Sequence, residues 1–84
     1  SPTPKPTVCR IQYFVNMKGE VLNDAERDVG DVVAGDEFLR NSSKKPPTRA
    51  LSYRYFGTVN PGTSESVTGW IKKEKLDEAG TICK

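Results

Sequence analysis

Leu51-Ser52-Tyr53-Arg54-Tyr55-Phe56-Gly57-Thr58-Val59, followed by Asn60-Pro61-Gly62-Thr63 and then Val67-Thr68-Gly69-Trp70-Ile71, is the stretch that decides the fold. Leu51, Tyr53, Tyr55 and Val59 alternate with Ser52, Arg54 and Thr58, the period of two that marks a half-buried strand. The Asn-Pro-Gly-Thr run is a turn signal, and Val67 to Ile71 reads as the returning arm of a hairpin.

Working outward, Cys9, Ile11, Tyr13 and Val15 alternate with Arg10, Gln12 and Asn16, a second strand with Phe14 on its outer face. Val32-Val33, the turn Ala34-Gly35-Asp36 and Glu37-Phe38-Leu39-Arg40 read as a turn leading into another strand. Residues 16 to 31 carry five acids and no sustained apolar period. They read as a long ordered loop with a short extended piece at Glu20-Val21-Leu22; a helix over Asn23 to Val29, closed by Gly30, is too short to stand alone. Asn41 to Thr48 is polar, and its Pro46-Pro47 breaks the sheet. Lys72 to Leu76 suits one 3₁₀ turn, and Thr81-Ile82-Cys83 a short closing strand. The expectation is an all-β fold, a small antiparallel barrel of five to six strands.

At 84 residues, 35% hydrophobic and 29% charged, the chain is one small, thinly cored domain with no room for a cleft between domains. No apolar run reaches the roughly 20 residues of a membrane helix, and the chain reads as already processed at Ser1. A net charge of +2 is well short of a nucleic-acid-binding balance, so no nucleic acid is expected. Histidine is absent, which removes the commonest general base and metal ligand.

Cys9 and Cys83 are the only cysteines. Paired, they close a loop worth about 4.5 kcal/mol in the chain-entropy model, and they imply an oxidising compartment. Two unrelated buried thiols, or a two-ligand metal site, are the alternatives. Residues 1–8, with three prolines in the first seven positions, read as an extended linker or stalk ahead of a domain over 9–84. Asn41-Ser42-Ser43 is formally a glycosylation sequon.

In order and spacing, three pieces resemble the bacterial SH3 domain. They are Tyr13-Phe14-Val15-Asn16, the run Val29-Gly30-Asp31-Val32-Val33-Ala34-Gly35-Asp36-Glu37-Phe38, and Tyr53 to Val59 followed by Gly69-Trp70-Ile71 and Leu76. The resemblance implies an SH3-like barrel plugged by Trp70 and Leu76. It also implies a ligand groove bordered by the loops at Met17-Lys18-Gly19-Glu20 and Asn41 to Ala50, both of which depart from the usual pattern. The Cys9 strand, Gly35-Asp36-Glu37-Phe38 and Gly69 to Glu74 are also similar to the strands of MAX-type fungal effectors, six-stranded sandwiches held by a disulfide.

Asp24, Glu26, Asp28 and Asp31 supply clustered oxygens but match no calcium-loop spacing, so they read first as a solvated acidic loop. Arg40, Lys44, Lys45, Arg49 and Arg54 fall in the acid-free stretch from Phe38 to Ser64, a basic loop next to the acidic one. Among the aromatics, Tyr13, Tyr53, Tyr55 and Trp70 are assigned to the core, with Phe14 and Phe56 outside. Because strand neighbours alternate, one of Tyr55 and Phe56 must face outward.

The expected function is therefore non-catalytic and needs no cofactor. The chain reads as a secreted or cell-surface, monomeric binding module for a peptide or peptidoglycan ligand. That ligand would be held between Asp24 and Glu26 and the aromatics Phe14, Tyr55 and Phe56. The alternative is a small secreted effector or inhibitor that engages a host or competitor protein through a sheet edge and the basic loop.

Overall fold

The computed structural model describes residues 9–83. Seven strands form one antiparallel sheet: β1 (Cys9–Val15), β2 (Gly19–Leu22), β3 (Asp28–Val32), β4 (Glu37–Arg40), β5 (Arg54–Val59), β6 (Val67–Lys72) and β7 (Leu76–Cys83). Two 3₁₀ turns, Ala50–Tyr53 and Lys73–Lys75, lead into β5 and β7. Residues 1–8, read as a linker, lie outside the described residues. No helix among the described residues is long and apolar enough to cross a membrane.

The sheet order is β3-β2-β6-β5-β4-β1-β7, with β3 and β7 as its edges among the described residues. The sheet is thus curled but not closed, and the expected barrel is a barrel only loosely. Its concave face holds Tyr13, Val15, Val21, Val32, Phe38, Val59, Ile71 and Leu76, at least one residue from every strand. A core assembled this way requires each strand to place its inward positions correctly, since a one-residue slip would send them to the other face.

Two glycines set how tightly the sheet curls. Gly57 and Gly69 face each other across β5 and β6. A Cβ on Gly69 would stand 2.5 Å from the Leu22 carbonyl oxygen and 2.6 Å from Val21 Cγ1, and one on Gly57 would collide with the Leu39 carbonyl. At these positions only glycine lets β2 and β4 pack so closely.

Cys9 and Cys83 are register partners of β1 and β7 and are joined by a disulfide, so the bond links the two ends of the described chain. Asn16, just past β1, holds the second 3₁₀ turn. Its Nδ2 donates to the Glu74 carbonyl at 3.2 Å and to Asp77 Oδ1 at 2.9 Å.

The structure departs from the sequence reading in four places. The extended piece expected at Glu20-Val21-Leu22 is β2, but the rest of the expected loop supplies a second strand, β3, that pairs with it as a hairpin, which raises the strand count to seven. The run from Leu51 to Tyr53 is a 3₁₀ turn, so β5 begins at Arg54. The closing strand spans eight residues. Trp70 is buried at 1% exposure, yet it lies on the face of β6 opposite Ile71, outside the cluster it was expected to plug.

Candidate ligand-binding groove

The β5–β6 register sets the chemistry of the sheet's outer face. Tyr55 sits opposite Ile71 and faces the core, whereas Phe56 opposite Trp70 and Arg54 opposite Lys72 face away from it. Phe56 and Trp70 pack with their ring centroids 5.1 Å apart, in a tilted geometry that aromatic quadrupoles favour. Two segments cover this pair: the turn between β2 and β3, and the connection from β4 to β5.

Asn23 builds the first. Its Oδ1 accepts from the amides of Ala25 at 2.9 Å and Arg27 at 3.0 Å, and Glu26 takes a positive φ of 62°. The turn so formed brings Asp24 to Trp70: Trp70 Nε1 donates to Asp24 Oδ1 at 2.9 Å. Lys44, from the second segment, donates from Nζ to Asp24 Oδ2 at 2.8 Å and stands 5.4 Å from the Phe56 ring centre. The Lys44 ammonium first, and the Trp70 N–H after it, hold the Asp24 carboxyl below the usual carboxylate range.

The second segment is anchored by its 3₁₀ turn. The Leu51 amide donates to Thr48 Oγ1 at 3.2 Å, and Leu51 is fully buried. That places Tyr53 outward, at 65% exposed.

Three adjoining depressions result. The largest, about 620 Å³, lies between the first turn and Tyr53 and is lined by Leu22, Glu26, Arg54, Lys73 and Glu74 among others. A second, about 390 Å³, is bordered by Asp24, Ala25, Lys44, Phe56 and Thr68. A third, about 190 Å³, runs along Arg40, Lys44, Lys45, Tyr55 and Lys73. Arg54 and Lys73 line both the first and the third.

The structure brings Asp24 and Phe56 together, sets Glu26 in the largest depression and Tyr55 in the smallest. Phe14 is separate: it is exposed on β1, paired with Glu37 and Asp77, and lines none of the three. Asp24 already has two partners of its own, so the acidic wall open to a ligand is Glu26 with Glu74. Arg54, Lys73 and Glu74 join the groove without a signal of their own in the sequence, and Tyr53, a core residue on its alternation, is exposed. Thr48 three residues before Leu51, following two prolines, is the turn-capping signal that would have turned Tyr53 outward. Compared with protein-family models, curated proteins and solved structures, the chain finds no match in any of the three.

Proposed function

We propose that this chain is a non-catalytic, SH3-like binding module that acts outside the cytoplasm and holds an extended peptide, free or as the stem peptide of peptidoglycan, in the groove beneath Tyr53. The observation that carries this reading is the 620 Å³ depression, open to solvent beside a 65%-exposed Tyr53 and walled by Glu26 and Glu74. A mostly exposed aromatic beside a groove of that size is an anchor for an apolar side chain, and the carboxylates suit a basic or amino group. The succession of β1, an acidic hairpin, β4, the β5–β6 hairpin, a 3₁₀ turn and β7 supports the SH3-like reading. The disulfide supports an oxidising setting, and the absence of histidine supports binding over catalysis.

Selection from a random-peptide display library, alongside co-sedimentation with purified peptidoglycan, tests this. Ligands that emerge lose about ten-fold or more in affinity with Tyr53→Ala, while thermal stability is unchanged. Equal affinity for the variant would move the site elsewhere.

One observation favours a second reading, the effector or inhibitor. Among the described residues β7 is an eight-residue edge strand, on which a partner protein's strand can be added. Protection of the β7 amides on binding a partner, with the groove amides unaffected, would select it.

A further inference from the structure

The smallest of the three depressions differs from its neighbours in charge. Arg40, Lys44, Lys45, Arg54 and Lys73 all line it, and no carboxylate does. Two of these cations have acidic partners. Lys44 is matched by Asp24, whereas Arg54 has only a 3.3 Å contact from Nη2 to a half-exposed Glu20. The Arg54 side chain is 10% exposed, and its Nη1 is buried with no hydrogen-bond partner among the described residues. A guanidinium so far removed from water and so thinly paired is a positive charge that the fold itself leaves largely uncompensated.

Its surroundings deepen the imbalance. Arg40 and Lys73 approach the same Tyr55 ring, with the guanidinium carbon 3.9 Å and the ammonium 5.0 Å from its centre. Among the described residues neither forms an ion pair, and neither does Lys45. The ring face attracts each cation but cannot cancel their mutual repulsion, which an anion placed between them would.

Resting on the peptide-binding reading, we propose that this depression is an oxyanion subsite that takes an acidic side chain, Asp or Glu, of the bound peptide. Phe56 borders the same depression, so its ring can pack on the methylene stem of such a side chain while the cations hold its carboxylate. Arg54 and Lys73 line both the subsite and the larger groove, which are therefore neighbours. A peptide crossing both would meet carboxylates at the Tyr53 end and cations at the other, so the groove also sets the order of charges along its ligand.

The test uses the disulfide-bonded protein, peptides selected from a random library, and inorganic phosphate as a second probe. The selected peptides are expected to be enriched in Asp or Glu. Replacing that acid by its amide should weaken binding about ten-fold, and so should the double variant K45Q/K73Q of two exposed lysines. The same substitutions should flatten the salt dependence of Kd, and the variant's thermal midpoint should stay unchanged.

Selected peptides without acids, bound equally well by K45Q/K73Q but weakened by Tyr53→Ala, overturn the subsite and leave the peptide-binding reading standing. A selection that yields no binder overturns both. Amide shifts around Tyr55 and Lys73 on adding phosphate, with no acid preference among the peptides, overturn the assignment to an acidic side chain and point to a phosphate-bearing partner.

Discussion

At the scale of single residues, Asp24 joins two loops and an indole. Its two bonds are unequal in worth. The Lys44 pair is half-exposed and of the kind that contributes little, whereas Trp70 is buried and its N–H has no second acceptor among the described residues. Asp24→Asn keeps an oxygen for the indole and should change the thermal midpoint little. Asp24→Ala leaves the N–H unpartnered and should lower it by several degrees. Calorimetry on the two variants checks the order, and equal losses would show that the ion pair dominates.

The acid side follows from the same geometry. Because the folded carboxyl lies below its ordinary value, its contribution is fully present above about pH 4 and is lost as the pH falls through the lower, folded value. Trp70 fluorescence should shift in that acid range in the wild type. In Asp24→Asn the shift should be absent.

At the scale of elements, the strands legible in the sequence are those that pack on both sides of the chain's own period. β1 alternates through Ile11, Tyr13 and Val15, and β6 through Val67, Gly69 and Ile71, because each is flanked by two partner strands and keeps an inward face. β3 and most of β7 gave no such signal. Both are edges, and β3 buries only Val32 while β7 buries only Leu76, so backbone pairing on one side holds them without an apolar period.

The turn at Ala50–Tyr53 misled for another reason. Spacing of two between Leu51 and Tyr53 reads as a strand, but the same residues in a 3₁₀ turn send one inward and the other outward. The exposure of Phe14 was legible, while the outward turn of Tyr53 and the second strand of the acidic hairpin were not. This turn is also the seat of a stability prediction. Leu51→Ala removes a fully buried side chain that lies outside the main cluster and should cost about 2–5 kcal/mol in urea unfolding. A cost below about 1 kcal/mol would mean that the connection carries no packing of its own.

At the scale of the whole molecule, eight core side chains hold an open sheet of seven strands, and the disulfide ties its outermost strand to its neighbour. In the chain-entropy model that bond supplies about 4.5 kcal/mol, so reduction should lower the thermal midpoint by roughly 20–30 °C. Scans with and without reductant check it, with far-ultraviolet dichroism following the strands. A loss of only a few degrees would show that the sheet stands without its covalent tie.

The bond between Cys9 and Cys83 also fixes how the domain bears load. Tension applied through the two ends of the chain passes from one sulfur to the other and never reaches the strands between them. Pulled in this way, the oxidised domain is a short link whose strands do not carry the load. Once reduced, the same pull would peel β7 from β1 and release a contour of about 250 Å over the 74-residue separation of the cysteines. Under such a pull the oxidised domain would be inextensible between its cysteines, and the reduced one would not.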